Sequence, residues 1–138
     1  MSGGEGAGGD GFNELLGVEL LDSGEDWARA RVAVGDHLLQ PYGVVHGGVY
    51  ASLAETVCSA ATHEAVSADG MVALGQSNHT TFLRPITEGH LNADARARHR
   101  GRTSWVWEVE ITDDRERLCA LVRMTVAVRP RPSPESGS

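Results

Sequence analysis

At 138 residues, with 19 acidic against 12 basic side chains and a formal charge of −7, the chain is of single-domain size and too acidic for nucleic acid to be its main partner. All twelve basic residues are arginine, which excludes lysine Schiff-base chemistry, and the two cysteines, Cys58 and Cys119, sit in apolar surroundings as core fillers rather than as a disulfide pair. No apolar run reaches the ~18 residues of a membrane span and no export signal opens the chain, so the expected location is the cytoplasm, with no membrane partner.

Composition divides the chain before any motif does. Residues 1–11 are mostly glycine and residues 129–138 are rich in proline and serine, so both are expected to be tails around a folded unit spanning 12–128. Phe12 to Leu16 reads as a short helix. From Trp27 to Val34, Ala28, Ala30, Val32 and Val34 alternate with Trp27, Arg29 and Arg31, the period of a half-buried strand. A loop through Pro41 and Gly43 leads to Gly47, where the period becomes helical until about Val66. Val49, Leu53, Val57 and Ala60 recur at helical spacing with Tyr50, Ala54, Cys58 and Ala61 alongside, leaving one narrow line of Gly48, Ser52, Glu55, Ser59 and Thr62. Such a helix is central, and its narrow line must face something other than bulk solvent.

After Gly70 the pattern is that of strands: Val72 to Leu83, Leu91 to Arg98, Ser104 to Ile111, and Leu118 to Val128, with turns at Arg84-Pro85 and Asp113-Asp114. One strand, a long apolar helix and four further strands describe an α+β domain in which an antiparallel sheet wraps round a helix.

The chemistry is concentrated in Gln40-Pro41-Tyr42-Gly43-Val44-Val45-His46-Gly47-Gly48 and in Glu55 beyond it. A glycine pair at a helix start leaves first-turn N–H groups open to an anion or a developing oxyanion. Glu55 has serines and no arginine along its line, so it reads as a reagent rather than half of a helix ion pair. His46 fits a neutral capping role as well as substrate contact, and Gln40 taken alone is a loop residue. The other histidines lack ligand spacing, and neither a metal nor a bound cofactor is expected.

The string from Gln40 through His46-Gly47-Gly48 to Leu53-Ala54-Glu55 and Ser59 resembles the hotdog-fold acyl-CoA thioesterases. Within them it is similar to the branches acting on 4-hydroxybenzoyl-CoA (Arthrobacter type), 1,4-dihydroxy-2-naphthoyl-CoA and phenylacetyl-CoA. The resemblance implies a catalytic carboxylate at Glu55, a backbone oxyanion donor at Gly47, pocket-shaping roles for Gln40 and His46, and a water-positioning hydroxyl at Ser59. It also implies binding of the CoA nucleotide by Arg84 and by Arg102-Thr103, which close the arginine series Arg96, Arg98, Arg100, and it implies a homodimer or a dimer of dimers. Serine at position 59 resembles the naphthoyl branch, where the hydroxybenzoyl branch has threonine. Hydrolysis of an acyl-CoA thioester follows, through Glu55 as nucleophile or as general base. Action on carrier-protein thioesters and non-catalytic acyl-CoA binding are the alternatives; a hydratase is disfavoured, since its Asp-then-His pattern is missing.

Overall fold

The computed structural model describes residues 11–132. The expected tails fall mostly outside that range, at 1–10 and 133–138. A one-turn helix, α1 (Phe12–Leu16), precedes two strands, β1 (Val18–Ser23) and β2 (Trp27–Ala33). The loop that follows feeds the twenty-residue helix α2 (Gly47–Val66), and then come β3 (Met71–Phe82), β4 (His90–Arg100), β5 (Ser104–Thr112) and β6 (Leu118–Pro130). All neighbours are antiparallel and the strand order is β1-β2-β4-β5-β6-β3, so among the described residues β3 forms one free edge of the sheet.

The sheet curls about α2 because its concave face carries the apolar residues of each alternation. Ala28, Ala30 and Val32 of β2, Trp105, Trp107, Val109 and Ile111 of β5, and Val122, Met124 and Val126 of β6 are all buried there. They close on Val49, Leu53, Ala54, Val57 and Cys58 of the helix. Most buried positions of β2 and β4 are alanine (Ala28, Ala30, Ala93 and Ala95), which lets the helix sit close to the middle of the sheet.

Four features depart from the sequence reading. β1 was not expected, and its residues are nearly all exposed: VELLDS lacks alternation because it is an edge strand held mainly by its ladder to β2 and by the Arg31–Glu19 ion pair at 2.9 Å. β6 runs two residues beyond Val128, and Arg131 N–H donates to the Gly70 carbonyl at 2.8 Å, so the start of the expected tail belongs to the sheet. Thr62 does not share the exposed line of α2. It is fully buried, donating to the Cys58 carbonyl at 2.8 Å and accepting the Trp107 indole N–H at 2.9 Å, which satisfies the tryptophan inside the core. Finally, β3 is bulged: Gly75 pairs with Val126 but Ser77 with Thr125, leaving Gln76 as the extra residue.

Candidate active site

The start of α2 is assembled by short-range hydrogen bonds. Gln40 to Gly43 is a tight turn closed by the Gly43 N–H to Gln40 carbonyl bond at 2.9 Å, with proline at the position whose φ it pre-sets and Gly43 at φ 84°. The returning chain pairs Leu39 with Val45, and the His46 N–H donates to the Leu38 carbonyl. His46 is the N-cap. Its backbone is extended (φ −61°, ψ 138°) and its Nδ1 accepts the Gly48 N–H at 2.9 Å. An accepting Nδ1 carries no proton, so a neutral His46 holds its proton on Nε2.

The glycine pair is therefore not equivalent. Gly48 N–H is taken by His46 and Val49 N–H by the His46 carbonyl, which leaves the Gly47 N–H as the first-turn donor with no acceptor among the described residues. The Cα of Gly47 is not open either. A Cβ there would lie 2.9 Å from Cζ of Phe82, whose ring covers the glycine and meets Tyr50 edge-on at 5.5 Å. Tyr50 in turn accepts the Ile86 N–H through its hydroxyl.

Along α2, Glu55 is exposed and has no ion-pair partner among the described residues. It lines an open groove with Ser52, Thr56, Ser59 and Ala73. Ser52 also borders the adjoining depression at the helix start, where His46, Gly48 and Leu39 lie. Phe12 forms part of both, so α1 is the common wall. It is tied to α2 by the Thr56 hydroxyl donating to the Asn13 side-chain carbonyl at 3.1 Å, and to the loop by His37 Nε2–H donating to the Leu15 carbonyl. Glu55, Ser59 and His46 are thus brought to one continuous surface. Gln40 is not among the residues that line it: its backbone is held in the preceding turn by Val44 and Gly43, and its side chain makes no hydrogen bond among the described residues.

The floor beneath Glu55 is β3. The bulge at Gln76 reverses the strand's parity, so Ala73 and Gly75 before it, and Asn78 and Phe82 after it, all face α2. Asn78 donates to the Ala51 carbonyl at 2.9 Å and is steadied by the Thr80 hydroxyl. Gly75, Asn78 and Phe82 were missed in the sequence, where only a glycine inside a strand pattern signals a bulge or a close approach. Cys58 offers no competing nucleophile: burial pushes its thiol well above the ordinary range.

The three residues expected at the nucleotide do not meet within one subunit. Arg84 N–H donates to the Cys119 carbonyl, whereas the Thr103 carbonyl accepts the Val128 N–H, and the nine residue steps of β6 between Cys119 and Val128 span about 30 Å. At the Arg102 end, Arg98 pairs with Glu108 at 3.3 Å, Arg96 with Asp94 at 3.3 Å, and Arg100 lies 4.9 Å from the centre of the Trp105 ring. Arg102 has no carboxylate partner among the described residues. Arg129, expected in the tail, instead donates to the Thr103 carbonyl at 2.9 Å and stands at the same turn.

A long helix wrapped by a six-stranded antiparallel sheet is the hotdog fold, and at the start of that helix and two turns along it lie a backbone N–H and a carboxylate with no partner among the described residues. The chain belongs to the thioesterase superfamily, whose model matches residues 42–120, and it is a thioester hydrolase by that membership. A thioesterase from Haemophilus influenzae of known crystal structure superposes with a TM-score of 0.80 at 34% identity, over 86% of this chain and 82% of that one. The 1,4-dihydroxy-2-naphthoyl-CoA hydrolase of Listeria monocytogenes is 33% identical over 86% of this chain and 96% of its own. The proofreading thioesterase EntH of Cronobacter turicensis is 34% identical, covering 83% of each chain.

Proposed function

We propose that this enzyme hydrolyses acyl-CoA thioesters with an aromatic acyl group, in the cytoplasm, and that each active site is shared between two copies of the chain. The carrying observation is the separation on one helix of the free Gly47 N–H from Glu55. Eight residues at 1.5 Å each put them ~12 Å apart, too far to serve one carbonyl. A second copy closes the gap, and the free edge of β3 is where it would attach. Within one subunit, Gly75 lies under Glu55 and Phe82 over Gly47. Antiparallel pairing of two β3 strands about a two-fold axis near Asn78 and His79 sets Gly75 of one copy opposite Phe82 of the other, and so Glu55 opposite Gly47. The same register carries the Arg102 turn of one copy toward Arg84 of the second. The dimer completes the chemistry, and a dimer of dimers is the larger assembly that leaves this site unchanged.

In that site the thioester oxygen accepts the Gly47 N–H at the positive end of α2, and the negative charge that develops during attack is stabilised there. Glu55 attacks the carbonyl carbon to give a mixed anhydride, which water then hydrolyses to the free acid and the regenerated carboxylate, or it takes a proton from a water held by Ser59 that attacks instead. In either route the C–S bond breaks and CoA leaves as a thiolate. His46, with Nδ1 committed to Gly48, presents Nε2–H to the acyl end, and Gln40 shapes that end through the turn that leads to His46. Phe12 and the small residues of the α2 line accommodate a flat acyl group. Arg102 and Thr103, with Arg84 of the second copy, bind the nucleotide phosphates as guanidinium and hydroxyl donors.

Two measurements test this. Glu55→Gln should lower kcat by about 10²- to 10⁴-fold on benzoyl-CoA with little change in KM; near-normal turnover would remove Glu55 from the chemistry. Arg102→Ala should raise KM for CoA esters while leaving a truncated pantetheine ester unaffected. Equal responses would move the nucleotide elsewhere, and faster turnover of acetyl-CoA or of carrier-bound acyl groups would replace the aryl-CoA assignment.

A further inference from the structure

We infer that Gly75 is a positioning residue for Glu55: its missing side chain is the space in which the carboxylate sits. The inference rests on the reading of Glu55 as the reacting carboxylate. A Cβ at position 75 would lie 2.7 Å from Oε2 and 3.1 Å from Cδ of Glu55, and 3.0 Å from Cε of Met124. Nothing in the backbone demands glycine there, since its φ lies outside the left-handed region that side chains avoid. Room alone excludes a larger residue.

The surrounding contacts determine which group would yield. β3 cannot retreat, being laddered to β6 on both sides of the bulge and pinned to α2 by Asn78 on Ala51. Met124 is 1% exposed and enclosed by the core. Glu55 is exposed and has no ion pair among the described residues, so a methyl group at 75 displaces the carboxylate, by roughly half an ångström or more to regain van der Waals contact. The bulge is part of the device. Without Gln76 as the extra residue, Gly75 and Asn78 would point to opposite faces, and the residue fixing the strand to the helix could not lie on the same side as the residue making room for the carboxylate.

The test uses Gly75→Ala, Glu55→Asp and their combination, with Glu55→Gln and Glu55→Ala as references, all as full-length protein on benzoyl-CoA. Because a misplacement of ~1 Å costs on the order of 10²-fold, Gly75→Ala is expected to lower kcat by about 10- to 100-fold and leave KM within about twofold. In the Glu55→Asp background, where the shorter side chain clears the methyl group, Gly75→Ala should cost at most a few-fold. Losses that simply multiply, or a Gly75→Ala enzyme with unchanged kcat, would overturn the assignment. Melting temperature supplies a second readout that does not need activity. Any loss caused by Gly75→Ala should shrink when Glu55 is truncated to alanine, and an undiminished loss would place the clash elsewhere and likewise overturn it. If Glu55→Gln is inactive while Gly75→Ala behaves as wild type, only the role of Gly75 falls; if Glu55→Gln turns over normally, the reading of Glu55 falls first and takes Gly75 with it.

Discussion

At the scale of the residue, position 47 combines two requirements in one glycine. Its Cα must admit the Phe82 ring, and its N–H must stay free while its neighbours' N–H groups are capped by His46. The two can be separated. Gly47 is the first residue of α2, where proline is well tolerated, and His46 already has the extended ψ of 138° that a residue before proline adopts. Gly47→Pro therefore deletes the N–H without breaking the helix, while Gly47→Ala adds the same Cβ against Phe82 and keeps the N–H. Kinetics of the two variants side by side should show Gly47→Pro slower than Gly47→Ala by about 10²- to 10³-fold in kcat, the usual effect of losing one oxyanion donor. Equal rates would mean that the carbonyl oxygen is held by another group. The candidate residues themselves could be read from the sequence because Glu55 and the Gly47-Gly48 pair break an otherwise apolar or small pattern. What could not be read is that only one glycine offers a free N–H, since that depends on the side-chain rotamer of His46.

At the scale of the element, the β5–β6 turn shows how local charge sets register at the end of the sheet. The Asp113 carboxylate accepts the backbone N–H groups of Arg117 and Arg115 and the Nε–H of Arg117 at 2.8–3.0 Å, and Glu116 takes φ 64° to complete the turn. These donors, the Arg117 backbone foremost, hold the Asp113 carboxyl below the usual carboxylate range. A depressed carboxyl stabilises the fold above its unfolded value of ~3.9, and that contribution disappears as pH falls through the lower folded value. Asp113→Asn should accordingly lower the melting temperature at pH 7, and the gap to wild type should begin to narrow below about pH 4 and close only once pH has fallen through the lower folded value. A gap that persists in acid would assign the turn's stability to its backbone alone. The long helix and β2, β5 and β6 were legible because each carries a clear period, as in the Trp105-to-Ile111 alternation and the spacing from Val49 to Val57, whereas β3 and β4, whose ladders shift register, were located by the turns that bound them. β1 was not, since an edge strand exposed on both faces has no period to read. The bulge in β3 was hidden for a related reason. Its effect is to make Gly75 and Asn78 share a face, and a residue count along the strand predicts the opposite.

At the scale of the whole molecule, Arg84 and the Arg102 turn stand about 30 Å apart and Gly47 ~12 Å from Glu55, so a single subunit holds two halves of different sites. A two-fold axis across β3 would convert these separations into proximity, and subunit mixing tests this more sharply than mass alone. Glu55→Gln and Gly47→Pro each disable both sites of a homodimer, but a mixed dimer joins the intact Glu55 of one copy to the intact Gly47 of the other at one of its two sites. Random reassociation of equal amounts makes half the dimers mixed, so activity should return to about a quarter of wild type. Sedimentation of the same samples should show a dimer or a multiple of it. If Glu55 and Gly47 instead act within one subunit, every mixed dimer has one site lacking the carboxylate and one lacking the donor, and mixing restores nothing.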